Sequence, residues 1–218
     1  MKSLSQPRTI ARAALAGLFT AAACYPRLAN AQELLKPLWA AWLILLWCAF
    51  MLWAFVFAWH AEYSGQPVFG RGFPWRDWTL ATAFSLAWAA AMYFLMDTQL
   101  RQITPADYPI DWRHWSAMTL FSVAFEPLCL CFAPFAFFVR LTRRPGSALA
   151  WTVAFGILML YFRLNSSKAL PPPIVAVELM GLRILAEFTS VYFYLRGGAG
   201  LIWWMALLSQ LRLVFEFG

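Results

Sequence analysis

The hydrophobic residues of this 218-residue chain are gathered in long apolar runs, separated by short stretches that are charged or rich in glycine and proline. Most of these runs are close to the ~20 residues that an α-helix needs to cross the ~30 Å hydrocarbon layer of a membrane. The pattern therefore predicts an all-α membrane protein, a polytopic bundle of about seven transmembrane helices in a single domain, 1–218. The predicted spans are 9–24, 37–59, 78–96, 115–139, 147–162, 174–195 and 201–215.

The first run has two interpretations. A basic start, an apolar centre and the small residues Ala29 and Ala31 are typical of a secretory signal with its cleavage site. The alternative, which we expect, is an uncleaved first span, short and rich in alanine. Whether this segment truly crosses the membrane is left open by the pattern.

Composition supports a membrane protein and narrows its partners. Hydrophobic residues make up 62% of the chain and charged residues only 12%. The net charge of +7 would suit nucleic acid, but the basic residues lie at loop ends and form no stripe interleaved with exposed aromatic residues. We therefore expect membrane lipids and other integral membrane subunits as partners, and no nucleic acid.

The distribution of lysine and arginine predicts the orientation. Nine basic residues fall on the side of the N-terminus and six on the other: Lys2, Arg8, Arg12, Arg71, Arg76, Arg140, Arg143, Arg144 and Arg196 against Arg27, Lys36, Arg101, Arg113, Arg163 and Lys168. Cytoplasmic loops carry an excess of these residues. The bias predicts a cytoplasmic N-terminus, and a bacterial inner membrane is the expected location.

One glutamate, Glu126, lies deep inside the fourth run and is followed by Pro127. An intramembrane carboxylate is costly and usually marks either a functional site or a contact between helices. Proline removes a helical hydrogen bond, so we expect a kink beside the carboxyl group. Glu126 could thus be a base or ligand in a pocket, or a group that holds the bundle together, and the second interpretation is favoured.

The sixth run is the most charged, with Glu178, Arg183 and Glu187. On depth alone Arg183 is the best partner for Glu126, whereas Glu187 competes because it follows Arg183 by four residues on the same helix face. Glu178 points away from Glu187. Near the end of the chain, Arg212 and Glu216 have the same spacing and predict an interfacial pair.

The sequence predicts no cofactor and no metal site. The cysteines, Cys24, Cys48, Cys129 and Cys131, lie in apolar runs and are expected to pack there, since none has a histidine at a metal-ligand spacing. The two histidines, His60 and His114, lie at span ends beside tryptophans, where interfacial packing is the expected role.

Three segments of the C-terminal half follow one another in a suggestive order. The first is 125–130 or 126–131, both of which include Glu126; the turn RRPGSALAW leads into the second, 155–159; and GLRILAEFTSVYFYLRGGAG, 181–200, precedes the last span. This layout resembles the CAAX prenyl protease and bacteriocin-processing (CPBP) family of glutamic intramembrane proteases. The resemblance implies a CPBP-like core at 115–218, with additional spans at 1–114.

The family's catalytic motifs are largely replaced in this chain. Members carry Glu-Glu-x-x-x-Arg, then Phe-x-x-x-His, then His-x-x-x-Asn or Asp. Only Glu126 remains of the first motif; Met159 stands at the first histidine position, and Ser209 or Gln210 at the second. No histidine follows His114. Because loss of one oxyanion donor alone commonly costs ~10²–10³ in rate, the resemblance implies a pseudoprotease with these four vestigial positions.

Three functions are compatible with this sequence. We expect a non-catalytic scaffold or accessory subunit that binds a partner's transmembrane helix, a lipid or a pigment within a membrane protein complex. An intramembrane protease-like enzyme with a site rebuilt around Glu126 is one alternative. A small transporter that uses the intramembrane charges, Glu126, Glu178, Arg183, Glu187 and Arg212, is another.

Overall fold

The computed structural model describes residues 6–30, 36–70, 72, 74–165 and 172–216, which are predominantly helical and include no β-strand. Six helices follow one another, and a 3₁₀ turn, Leu211–Glu216, ends the described chain. The helices are α1 (Pro7–Asn30), α2 (Leu38–Ser64), α3 (Trp75–Ile103), α4 (Trp112–Thr142), α5 (Pro145–Asn165) and α6 (Pro173–Gln210). The predicted all-α class is confirmed.

Four of these helices, α2 to α5, are long and apolar enough to cross a membrane. The chain is therefore an all-α membrane protein. Two helices fall short of that criterion among the described residues: α1, which is rich in alanine, and α6, which carries the charges Glu178, Arg183 and Glu187. Four of the seven predicted runs thus lie on helices that meet this criterion, and the sixth and seventh runs form the two arms of α6, which meet at a break in the helix.

The interruption of α6 lies at Gly198, where φ is +71° and the backbone leaves helical geometry. The loop after α2 packs directly on it: the Ala199 N–H donates to the Val68 carbonyl at 2.8 Å. A Cβ at Gly198 would lie 2.3 Å from the Gly70 nitrogen, closer than atoms can approach. Val68 is buried, so this part of the loop belongs to the packed interior of the bundle.

The bundle has two ends that differ in character. At the closed end, the α2–α3 loop packs on the α6 kink, Arg143 after α4 lies 4.1 Å from the centre of the Tyr63 ring at the end of α2, and Arg196 donates to Asp77 at 2.9 Å. At the open end, α1, α3 and α5 finish and α2, α4 and α6 begin. Asp107, in the α3–α4 connection, pairs there with Arg27 of α1 and Arg163 of α5.

An aromatic core fills the closed half. Trp53 of α2 is 1% exposed and contacts the rings of Phe132, Phe69 and Trp203, with centroids 5.9–6.3 Å apart. Its indole N–H donates to the Thr20 hydroxyl at 3.0 Å, which ties α1 to the same core. Since burial of large aromatic side chains dominates packing energies, we expect this half to contribute most of the stability of the bundle.

Helix α4 is at the centre, in contact with α1, α2, α5 and α6. Its α-helical geometry stops at Ala124 and resumes after a π-helical turn, Leu128–Phe132. Pro127 has no N–H to offer to the carbonyl four residues earlier, so the helix cannot continue regularly. The predicted irregularity beside Glu126 is confirmed.

Parts of three predictions lie outside the described residues. The residues outside the described ranges include three of the charge count, Lys2, Arg71 and Lys168. They also include Ala31 of the signal-like segment and the stretch 166–171 between α5 and α6. The side chain of Glu216, the expected partner of Arg212, is outside them as well.

Candidate binding cavity

A cavity of about 530 Å³ opens between the helices at the open end. It joins a second cavity of about 330 Å³, with which it shares Glu126, Arg163, Arg183, Gln210 and Arg212. Apolar walls come from side chains such as Trp88, Met92 and Leu182. A volume in this range, with apolar walls and a few converging polar groups, is typical of a ligand site.

Glu126 lies at the wall common to both cavities and is half-buried. It forms no ion pair or hydrogen bond with any residue in the described part of the chain. The π-helical turn Leu128–Phe132 begins two residues after Glu126, and such turns are frequent at functional sites. The ion pair with an arginine of another helix, which the favoured interpretation allowed for Glu126, is not formed among the described residues.

Arg183 takes the closer of its two possible partners. It forms an ion pair with Glu187, one turn further along α6, and not with Glu126. Glu187 is 4% exposed and fits against α5 only because residue 156 is glycine: a Cβ there would lie 2.7 Å from the Glu187 Cγ. The Arg183 Nε is buried without a partner in the described structure, so one donor of this guanidinium is unused.

Arg212 pairs with Asp97, whereas the side chain of its predicted partner, Glu216, lies outside the described residues. The Arg212 Nε donates to Asp97 at 2.9 Å, and the Tyr108 hydroxyl donates to the other carboxylate oxygen at 3.0 Å. Asp97 is 2% exposed, at the end of a π-helical turn, Met92–Asp97. Burial, together with the charge and hydrogen bond of Asp97, raises the pKa of Tyr108 well above its usual range.

The rim of the cavity holds two arginines around one acid. Asp107 forms an ion pair with Arg163 and a longer one, 3.6 Å, with Arg27. The Arg27 guanidinium also lies 4.8 Å above the centre of the Phe121 ring, a cation–π contact that holds it over the cavity. The rim thus carries more positive than negative charge.

Of the predicted vestigial positions, three converge and one does not. Glu126, Ser209 and Gln210 line the second cavity, whereas Met159 lines neither. The Ser209 hydroxyl donates a hydrogen bond to the Ala206 carbonyl at 2.8 Å. The Gln210 carbonyl accepts from the Trp115 indole at 3.1 Å, which joins α6 to the start of α4.

Among the predicted intramembrane charges, Glu178 is the exception, since it is exposed and lines neither cavity. Sequence reasoning also missed the rim residues Arg27, Asp107, Tyr108 and Arg163. The polarity of the loop 97–114 was the available signal, but it gives no indication that this loop meets the ends of α1 and α5.

Two further expectations need correction. His60 is not interfacial: it is fully buried in the closed half, 4.5 Å from the ring of Tyr194 by centroids, and neither its ring nitrogens nor the Tyr194 hydroxyl has a partner in the described structure. Cys48, expected to pack in the bundle, is exposed on α2. Across the described ranges, no cluster of three histidine, cysteine or acidic residues is arranged to hold a metal ion.

Comparison with known proteins adds no relative to this picture: no family model, curated protein or solved structure matches the chain. The resemblance to the CPBP proteases therefore stays a prediction, carried by the order of the three segments in the C-terminal half.

Proposed function

We propose that this protein is a non-catalytic accessory subunit of a membrane protein complex, and that it binds the headgroup of one lipid in the open-end cavity. The observation that carries the proposal is the lining of the cavity, in which guanidinium groups from three helices, Arg27, Arg163 and Arg183, stand among apolar side chains. Guanidinium groups suit phosphate and carboxylate oxygens, which they bind through paired hydrogen bonds. A lipid headgroup carries such oxygens and is available throughout a membrane.

A lipid fits this cavity better than a partner's transmembrane helix or a pigment. A helix needs a groove along the length of the bundle, whereas the two joined cavities end against the Trp53 core, whose members Cys131, Ile202 and Met205 line the second cavity. About 530 Å³ is enough for a headgroup and the first part of its chains. Contact with partner subunits is then made by the outer, apolar faces of the helices.

The absence of hydrolysis is part of the proposal. A glutamate protease of the CPBP type needs groups that stabilise an oxyanion, and the described lining of both cavities includes no histidine. His60 lies in the closed half, away from Glu126. A CPBP ancestry that has lost its chemistry, a pseudoprotease, agrees with this lining.

The membrane arrangement that accompanies the proposal has seven spans, with α1 and both arms of α6 added to the four apolar helices. The N-terminus is cytoplasmic, the membrane is the bacterial inner membrane, and the cavity then faces the side away from the cytoplasm. Charged helices can cross a membrane when their charges face the bundle interior, as Arg183 and Glu187 do.

Lipid analysis of the protein purified in mild detergent tests the function. We expect about one tightly held lipid per protein in the wild type. That lipid should be lost in Ala186→Phe, because Ala186 lines both cavities and a phenyl ring there would occupy their space. Ala150→Phe, on the exposed side of α5, is the matched control and keeps the lipid. Equal lipid content in all three proteins would contradict the proposal.

A second assay addresses the absence of catalysis. Wild type and Glu126→Gln are incubated in detergent with a set of transmembrane peptides, and products are identified by mass spectrometry. We expect no cleavage by either protein. Cleavage by the wild type that disappears in Glu126→Gln would establish the rebuilt enzyme instead.

A further inference from the structure

The arginines deep in the open-end cavity are individually balanced. Arg212 has Asp97 at 2.9 Å, and Arg183 has Glu187 as its ion-pair partner. Each of these pairs joins a half-buried guanidinium to a carboxylate that is less than 5% exposed. Neither pair contributes net charge to the space between the helices.

Two places remain where charge is not balanced. At the rim, Arg27 and Arg163 share the single carboxylate of Asp107, which leaves one positive charge in excess. Deeper in the cavity, Glu126 has no ion pair with any described residue. Since uncompensated charges in a poorly solvated space are costly, both places favour a ligand group of opposite sign.

The spacing between these two places can be read from α4. Arg27 lies over the ring of Phe121, and Glu126 follows Phe121 by five residues on the same helix. At 1.5 Å per residue, five residues correspond to a rise of about 7.5 Å along the helix axis, so the backbone of Glu126 lies about that much deeper in the bundle than that of Phe121. With an ionic hydrogen bond of about 3 Å at each end, a short ligand whose charges are a few bonds apart can reach both.

We infer that the ligand of this cavity is a zwitterion, with a phosphate at the Arg27–Arg163 rim and a primary ammonium at Glu126. This inference rests on the proposed function and names the chemistry of its headgroup. A simple anion would be attracted by the rim but repelled by Glu126. A simple cation would be attracted by Glu126 but repelled by the rim. A phosphate and an ammonium joined by two carbons, as in phosphoethanolamine, satisfy both places at once.

The test compares two short-chain phospholipids on delipidated protein, with binding measured by native mass spectrometry. Phosphatidylethanolamine carries the ammonium, whereas phosphatidylglycerol carries the phosphate without it. The wild type is expected to bind the first at least tenfold more tightly. Glu126→Gln is expected to weaken phosphatidylethanolamine roughly tenfold or more, as for loss of one charged hydrogen-bond partner, and to leave phosphatidylglycerol unchanged or tighter.

Two further variants complete the design. Arg163→Gln is expected to weaken both lipids, because both use the rim. Glu178→Gln removes an exposed carboxylate of α6 outside the cavity and is expected to behave as the wild type. A thermal melt equal to that of the wild type verifies that Glu126→Gln is folded, since the amide is close in shape to the carboxyl group.

The outcomes separate the inference from the function on which it rests. The inference of a zwitterion is wrong, and the lipid site is retained, under one combination of results. The wild type binds both lipids, Ala186→Phe binds neither, and Glu126→Gln leaves the ratio of the two affinities unchanged. If neither lipid binds the wild type, the proposed function itself fails. Competition by free glycerophosphoethanolamine would identify a soluble zwitterion as a sufficient ligand, and its absence would assign the site to the lipid.

Discussion

The two halves of this bundle are formed largely by the same helices but differ in what lies between them. The closed half is packed with aromatic rings around Trp53 and sealed by the contact between the 65–70 loop and the α6 kink. The open half keeps a cavity whose walls carry arginines or acids from α1, α4, α5 and α6 and from the α3–α4 connection. The difference teaches that aromatic packing and cavity are separated along the bundle, because tight apolar packing in one half allows the other half to remain open.

This separation makes a clear claim about substitutions. Changes in the closed half should alter the stability of the whole bundle, whereas changes in the open half should alter ligand binding with smaller effects on the fold. Four predictions test it, from the largest expected effect to the smallest.

Trp53→Ala should destabilise the protein most. The substitution removes a fully buried indole, its ring contacts and its hydrogen bond to Thr20, a change that typically costs about 3–5 kcal/mol. Thermal unfolding in detergent measures the effect. Trp47→Ala, at a side chain that is 64% exposed on the same helix, is the control and should change little. Equal losses in the two variants would contradict a core centred on Trp53.

Gly198→Val should break the seal of the closed end. Its left-handed φ and the 2.3 Å approach to the Gly70 nitrogen leave no room for a side chain. Overpacking of this kind costs about 3 kcal/mol, which corresponds to about 6–12 °C in melting temperature for a chain of this size. Gly200→Val is matched in chemistry, since nothing lies within 4 Å of the position of its Cβ. We expect that variant to melt close to the wild type.

Asp97→Asn should weaken the open end without unfolding the bundle. Arg212 would lose its carboxylate, and loss of a hydrogen bond to a charged group costs about 1.5–3 kcal/mol. Arg212 lines both cavities, so its unpaired guanidinium should also change which lipids are retained. Lipid content and melting temperature are measured on the same sample. A variant that keeps the lipid of the wild type and melts far lower would argue that Asp97 belongs to the core.

Tyr108→Phe should have the smallest effect, about 1 kcal/mol, for the loss of one hydrogen bond to Asp97. The raised pKa of Tyr108 gives this bond a pH dependence. The neutral hydroxyl stabilises the folded state fully below the unfolded pKa, near pH 10, and this contribution is lost as the pH rises from there toward the folded pKa. Melting between pH 8 and 11 should therefore decline less steeply for Tyr108→Phe than for the wild type. Tyr161→Phe, at an exposed position of α5, should decline as the wild type does.

Much of the fold could be predicted from local pattern alone. Apolar runs of the right length predicted α2 to α5, and Pro127 predicted the irregularity of α4, because each depends on residues close together in the chain. The spans 174–195 and 201–215 were predicted as separate, and the non-helical backbone at Gly198 does divide α6 into two arms between them.

The candidate site was harder, because it depends on which helices meet. Glu126 and Arg183 were recognised as costly intramembrane charges, yet their partners could not be chosen from spacing and depth alone. The rim was missed altogether: Arg27, Asp107 and Arg163 are far apart in the chain and ordinary for loop ends. Their convergence is a property of the bundle.

The central claim is that the open-end cavity holds a lipid headgroup. A crystal structure of the wild type grown from a lipidic mesophase tests it most directly. The account predicts density for one headgroup between the Arg27–Arg163 rim and Glu126, with its phosphate at the rim. A cavity that holds only water, or one closed by an ion pair between Glu126 and a neighbouring arginine, would contradict it.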